Sequence, residues 1–82
     1  MSPSIRASLE ECFAIVFPDV PASAFAAAAM GSLPEWDSLA TLTLAAVIEE
    51  SFGVQIAPDD LPSLVSFEQI GAYLEHNVRR AA

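Results

Sequence analysis

Leu33-Pro34-Glu35-Trp36-Asp37-Ser38-Leu39 joins a proline-punctuated loop to a mostly apolar run that continues to Ile48. Asp37 stands where a helix begins. An aspartate at an N-cap accepts hydrogen bonds from the first free backbone N–H groups. Ser38 then falls in the first turn, with its hydroxyl at the positive end of the helix dipole. A phosphate carried on Ser38 would be favoured there by the free N–H groups and the dipole together.

The helix that starts at Ser38 is predicted to end near Phe52-Gly53, with glycine as the stop signal. At about 100° per residue, Thr41, Leu44, Ala45, Ile48 and Phe52 share one face. Leu39, Leu42 and Ala46 gather on the opposite face, flanked by Thr43, Glu49 and Glu50. A helix that is apolar all round is normally buried on all sides. A chain of 82 residues can hardly do that for its longest helix. One face is therefore assigned to the core. The other is either covered by the preceding loop or read by a partner.

Upstream, Ser2-Pro3 reads as an N-cap followed by proline at the first helical position. Ile5, Leu9, Cys12, Phe13, Val16 and Phe17 recur at helical spacing. The first helix is predicted from Pro3 to Phe17, stopped by Pro18. From Pro18 to Trp36 the periodicity dissolves. Ala24 to Met30 can form a short helical turn, with Phe25 and Met30 as anchors to the core. A connection this long in a small bundle tends to be functional.

Downstream, Val54, Gln55 and Ile56 cross to Pro58, and Asp59 to Leu64 reads as a short helix bent around Pro62. Ser66-Phe67-Glu68-Gln69 has the spacing of a capping box. It opens a last helix carrying Phe67, Ile70, Leu74 and Val78, with Tyr73 half-buried. Arg79 and Arg80 suit that helix's C-terminal end, and the tail Ala81-Ala82 is expected to fray. The sum is an all-α fold, a small bundle of three main helices plus one short helix, in a single domain over residues 1–82.

Acidic residues number 11 against three basic ones, a net charge of −8. This excludes a nucleic-acid footprint and docking to anionic lipid. It favours encounter with basic patches on partner proteins. An apolar fraction of 54% points to a compact core under an acidic surface. No secretory signal or spanning segment is visible, so a cytoplasmic monomer is expected. A lone cysteine, Cys12, allows no intrachain disulfide; on the apolar stripe it reads as a buried, inert thiol.

The parts of an enzyme are missing. His76 lies near the end of the last helix. No nucleophile elbow surrounds Ser38. Asp37 is a poor base for Ser38 while its carboxylate is capping. One cysteine and one histidine cannot build a closed zinc site, and the pairs Glu10-Glu11, Glu49-Glu50 and Asp59-Asp60 lack calcium-loop spacing, so no metal is expected.

Asp37-Ser38-Leu39, followed by Leu42, Leu44, Ile48, Glu49, Glu50 and Phe52, resembles the acyl carrier protein superfamily, and the likeness runs from Ile5 to Leu74. The resemblance implies an acyl-carrier-like bundle in which the serine carries 4′-phosphopantetheine derived from coenzyme A. It implies a carrier, not an enzyme, that holds an acyl or aminoacyl group as a thioester. The implied partners are a phosphopantetheinyl transferase, an acyl- or aminoacyl-loading enzyme and a downstream transferase or synthase. The second apolar stripe, its nearness to Ser38 and the excess negative charge make Leu39, Leu42, Ala46, Glu49, Glu50 and Trp36 the expected partner surface. Two departures separate the chain from fatty-acid carriers. Glu35-Trp36 replaces the usual glycine two residues before the aspartate, and Ala40 and Thr43 replace early acidic residues. Trp-Asp-Ser-Leu is closer to the specialised carriers of secondary metabolism, cell-surface polysaccharide or amino-acid loading. The alternative reading is a helical interaction module with no prosthetic group.

Overall fold

In the computed structural model the backbone is described for residues 1–81 and the side chains for residues 1–77. The expectations placed on Val78, Arg79, Arg80 and the tail lie outside the described side chains. Three α-helices carry the architecture: α1 (Pro3–Val16), α2 (Ser38–Phe52) and α3 (Phe67–Ala81). A short 3₁₀ helix, Ala22–Ala27, interrupts the long first connection, and a second, Pro58–Ser63, interrupts the next. No strand occurs among the described residues; pairing is limited to isolated bridges such as Ala29 with Ser66. The expected all-α bundle is the observed one, with one more short helix than the sequence suggested. Among the described residues no helix is long and apolar enough to cross a membrane.

Each long helix begins on a side-chain cap. Ser2 Oγ accepts from the Ile5 N–H at 3.3 Å, with Pro3 opening α1 where its missing N–H costs nothing. Ser66 Oγ accepts from the Gln69 N–H at 3.0 Å and lies 3.2 Å from Gln69 Oε1. Gln69 thus reaches back to the hydroxyl of its own cap, closing the start of α3. Helix ends follow equally local rules. Phe17 falls outside α1, one residue earlier than predicted, and caps it through its N–H to Phe13 at 2.7 Å. Pro18 disfavours helical geometry at the residue before it, which accounts for the early stop. Gly53 ends α2 with φ at 67°, a left-handed conformation that costs glycine little.

The core lies where the three helices meet. Leu9 and Phe13 of α1, Leu44 and Ile48 of α2 and Ile70 and Leu74 of α3 are all essentially inaccessible. Phe13 is the hub of an aromatic cluster. It packs edge-on to Trp36 and Phe67 at 5.4 and 5.0 Å between centroids, and tilted against Phe17 and Phe25. Edge-to-face pairs at this spacing add to the burial term. Four of these rings, Phe17, Phe25, Trp36 and Phe67, come from outside the long helices or from their ends, so the cluster fastens the connection to the bundle. Two backbone bonds do the same: Met30 N–H to Val65 at 2.8 Å and Phe67 N–H to Ala28 at 3.0 Å.

Candidate functional site

Ser38 is the first residue of α2 and is exposed. The preceding residue, Asp37, is the N-cap, and its Oδ1 accepts from the Ala40 N–H at 2.8 Å. The first N–H groups of a helix have no acceptor within it, so the serine hydroxyl stands at a donor-rich end.

Around the helix axis the exposed side of α2 forms a ridge. Leu39 is 71% exposed and Leu42 55%, and Ala46 and Glu50 are exposed as well. The long connection does not cover this face. It is pinned against α3 instead, which leaves two large leucines in solvent beside Ser38.

On one flank of the ridge a groove of about 390 Å³ opens next to the serine. Met30, Thr41, Leu42, Leu61, Pro62 and Val65 line it together with Ser38, and its walls carry no charged side chain. Its far wall is the second 3₁₀ helix. That helix has no buried residue of its own and is held at its edges. Tyr73 O–H donates to Asp60 Oδ2 at 2.9 Å, and the Ile56 N–H donates to Glu49 Oε2 at 2.8 Å. Burial, then the hydrogen bond to the Asp60 carboxylate and its charge, push the Tyr73 hydroxyl above its ordinary pKa.

Two residues expected on the partner surface take other places. Trp36 is 2% exposed, so it offers a partner nothing; its indole N–H donates to Thr41 Oγ1 at 2.8 Å inside the core. A ring this large beside a small core gains more from burial against Phe13 and Phe17 than from solvent. Glu49 is half-buried and committed to the Ile56 N–H, which leaves Glu50 as the exposed acid on the ridge. Phe52, assigned to the core face, is only partly buried. It is the last residue of α2.

Nothing local in the sequence marks the groove walls Met30, Leu61, Pro62 and Val65, because their nearness to Ser38 depends on non-local packing. Thr41 carried a local signal. A threonine four residues after an N-cap can return its hydroxyl to the cap carbonyl, and Thr41 Oγ1 lies 3.1 Å from the Asp37 oxygen.

Neither a family model, nor a curated protein, nor a solved structure matches this chain. His76 is exposed near the C-terminal end of α3, on a different helix from Ser38. Among the described residues no group of histidine, cysteine and acidic side chains could hold a metal ion. Cys12 is buried; that burial is the main cause of its raised pKa, with Ser51 opposing and Glu11 adding.

Proposed function

We propose that this chain is a carrier whose Ser38 accepts 4′-phosphopantetheine from coenzyme A and presents a thioester-bound acyl or aminoacyl group to partner enzymes. The observation that carries the reading is the exposed Ser38 hydroxyl, on a capped helix start, between a solvent-facing leucine ridge and an uncharged groove. These residues fit the group. A phosphodiester on Ser38 would meet the unpaired N–H end of α2, and an arm leaving it could lie along Leu42, Leu61 and Val65. When attached, the group supplies a thiol on a flexible arm. The chain supplies the anchor, an acidic body and a docking ridge.

Attachment is a phosphoryl transfer. The Ser38 oxygen bonds to the phosphorus next to pantetheine, the pyrophosphate bond of coenzyme A breaks, and adenosine 3′,5′-bisphosphate leaves with the electron pair. The serine proton passes to a base on the transferase. The transferase, an acyl- or aminoacyl-loading enzyme and a downstream transferase or synthase would each dock on Leu39, Leu42 and Ala46. Glu50 would steer the encounter with their basic patches.

The deciding experiment is intact mass after incubation with coenzyme A and a broad-specificity phosphopantetheinyl transferase. The wild type is expected to gain one phosphopantetheine and Ser38→Ala none. An unmodified wild type, under conditions that load a control carrier, rejects the reading and leaves a helical interaction module built on the leucine ridge.

A further inference from the structure

Ser38 is exposed, yet the backbone on both sides of it is tied into the protein. Trp36, just upstream, packs against Phe13 and Phe17 with centroids 5.4 and 5.8 Å away. Its indole N–H donates to Thr41 Oγ1 at 2.8 Å, and that hydroxyl donates onward to the Asp37 carbonyl at 3.1 Å. The Thr41 N–H reaches the same carbonyl at 3.0 Å, and the Ala40 N–H reaches the Asp37 carboxylate at 2.8 Å. Ser38 and Leu39 thus lie inside a closed circuit of hydrogen bonds that starts from a ring fixed in the core.

The circuit is polar where an apolar pair would fill the space. Thr41 is a polar residue buried in the core at 7% exposure, and valine would match its shape. A buried hydrogen bond adds little net stability, but an orphaned partner is costly. The pair therefore fixes register. If α2 began one residue earlier or later, Thr41 would turn by about 100° and leave the indole N–H without an acceptor. Helix ends otherwise fray.

We infer that Trp36 and Thr41 are positioning residues that set where the Ser38 hydroxyl stands, by locking the first turn of α2 to the aromatic core. The inference rests on the carrier reading, because it concerns how Ser38 is offered to the transferase. Neither side chain needs to touch coenzyme A. A misplacement of about 1 Å at a reacting atom can cost a hundredfold in rate, so a locked turn bears directly on transfer.

The test compares Trp36→Phe, Thr41→Val and Thr41→Ser with a control, Ile70→Val, which trims the core in α3 away from Ser38. Loading kinetics with coenzyme A and the transferase are read beside amide hydrogen exchange of the full chain. Trp36→Phe and Thr41→Val are expected to lower kcat by about fivefold or more with little change in KM, since the leucine ridge is intact. Exchange at the Ala40 and Thr41 amides should quicken by a similar factor. Thr41→Ser keeps the hydroxyl and should load within about twofold of wild type. Ile70→Val should lose stability without losing kcat. Normal kcat in both Trp36→Phe and Thr41→Val overturns the inference, as does an equal loss in Ile70→Val. If the wild type itself is never loaded, the carrier reading fails and this inference falls with it. A loaded wild type with unaffected variants sinks this inference alone.

Discussion

The two sides of α2 are almost equally apolar and have opposite fates. Leu44 and Ile48 are buried to 1% and 0% exposure, while Leu39 and Leu42, on the same helix, stand at 71% and 55%. Side-chain chemistry does not separate them. What does is the position of the neighbours: α1 closes over one side, and the connection that could have closed over the other is drawn to the start of α3 by the Ala28 and Met30 backbone bonds. An apolar residue left outside by geometry is retained at a cost in solubility. Two such residues, Leu39 and Leu42, stand beside the exposed Ser38.

The sharpest way to break this comparison is to shorten one side chain on each face. Ile48→Ala removes fully buried methyl groups and is expected to destabilise by about 2–5 kcal/mol. Leu42→Ala gives up little covered surface and should cost less than about 1 kcal/mol. Denaturant unfolding of both variants checks the pair. Equal losses would mean that the ridge is packed in solution and the distinction between the faces fails.

The converse experiment places a charge on the ridge. Leu42→Asp should keep the helical spectrum, yet lower kcat/KM for phosphopantetheine loading by about tenfold at any salt concentration. Only part of Leu42 remains to be covered on docking, hence the moderate size. Loading at the wild-type rate would show that the transferase does not read this face.

Phe52 tests where the buried face stops. By angle it belongs with Leu44 and Ile48, but at the last position of α2 it is only half-covered. Phe52→Ala should therefore cost about 1–2 kcal/mol, below the range for a fully buried phenylalanine and below Ile48→Ala. A loss as large as that of Ile48→Ala would place it fully inside. The case also marks what sequence reading can deliver. Periodicity gives the direction in which a side chain points; it does not give how far the neighbouring helices run along the axis. Signals confined to a few residues were legible: the Ser2-Pro3 start, the Asp37 cap, the Gly53 stop and the Ser66–Gln69 pair. The exposure of Ser38 followed from the same local geometry. What depended on the path of the long connection was not legible. Trp36, expected on the partner surface, lies inside because it packs against Phe13 and Phe17. The groove walls belong to segments far apart in sequence.

The smallest effect separates the two adjacent glutamates at the far end of the ridge. Composition treats Glu49 and Glu50 alike, and the sequence assigns both to steering. Glu49 Oε2 accepts the Ile56 N–H at 2.8 Å, holding the segment that leads into the second 3₁₀ helix. Glu50 is exposed and points along the ridge side of α2. Glu49→Ala should lose about 1 kcal/mol of stability with the lost acceptor, and the loss should persist in salt, because it is a short-range bond at a part-buried site. Glu50→Lys should leave stability within about 0.5 kcal/mol. Its effect belongs to the encounter with a basic partner: loading slows by about two- to threefold at low ionic strength, and the difference shrinks when the Debye length falls to about 8 Å at physiological salt. Stopped-flow loading across a salt series, beside unfolding curves of both variants, reads the two effects separately. If Glu49→Ala were silent in unfolding and Glu50→Lys silent in loading, the division of labour between these neighbours would collapse, and the net charge as a whole would be left to do the steering.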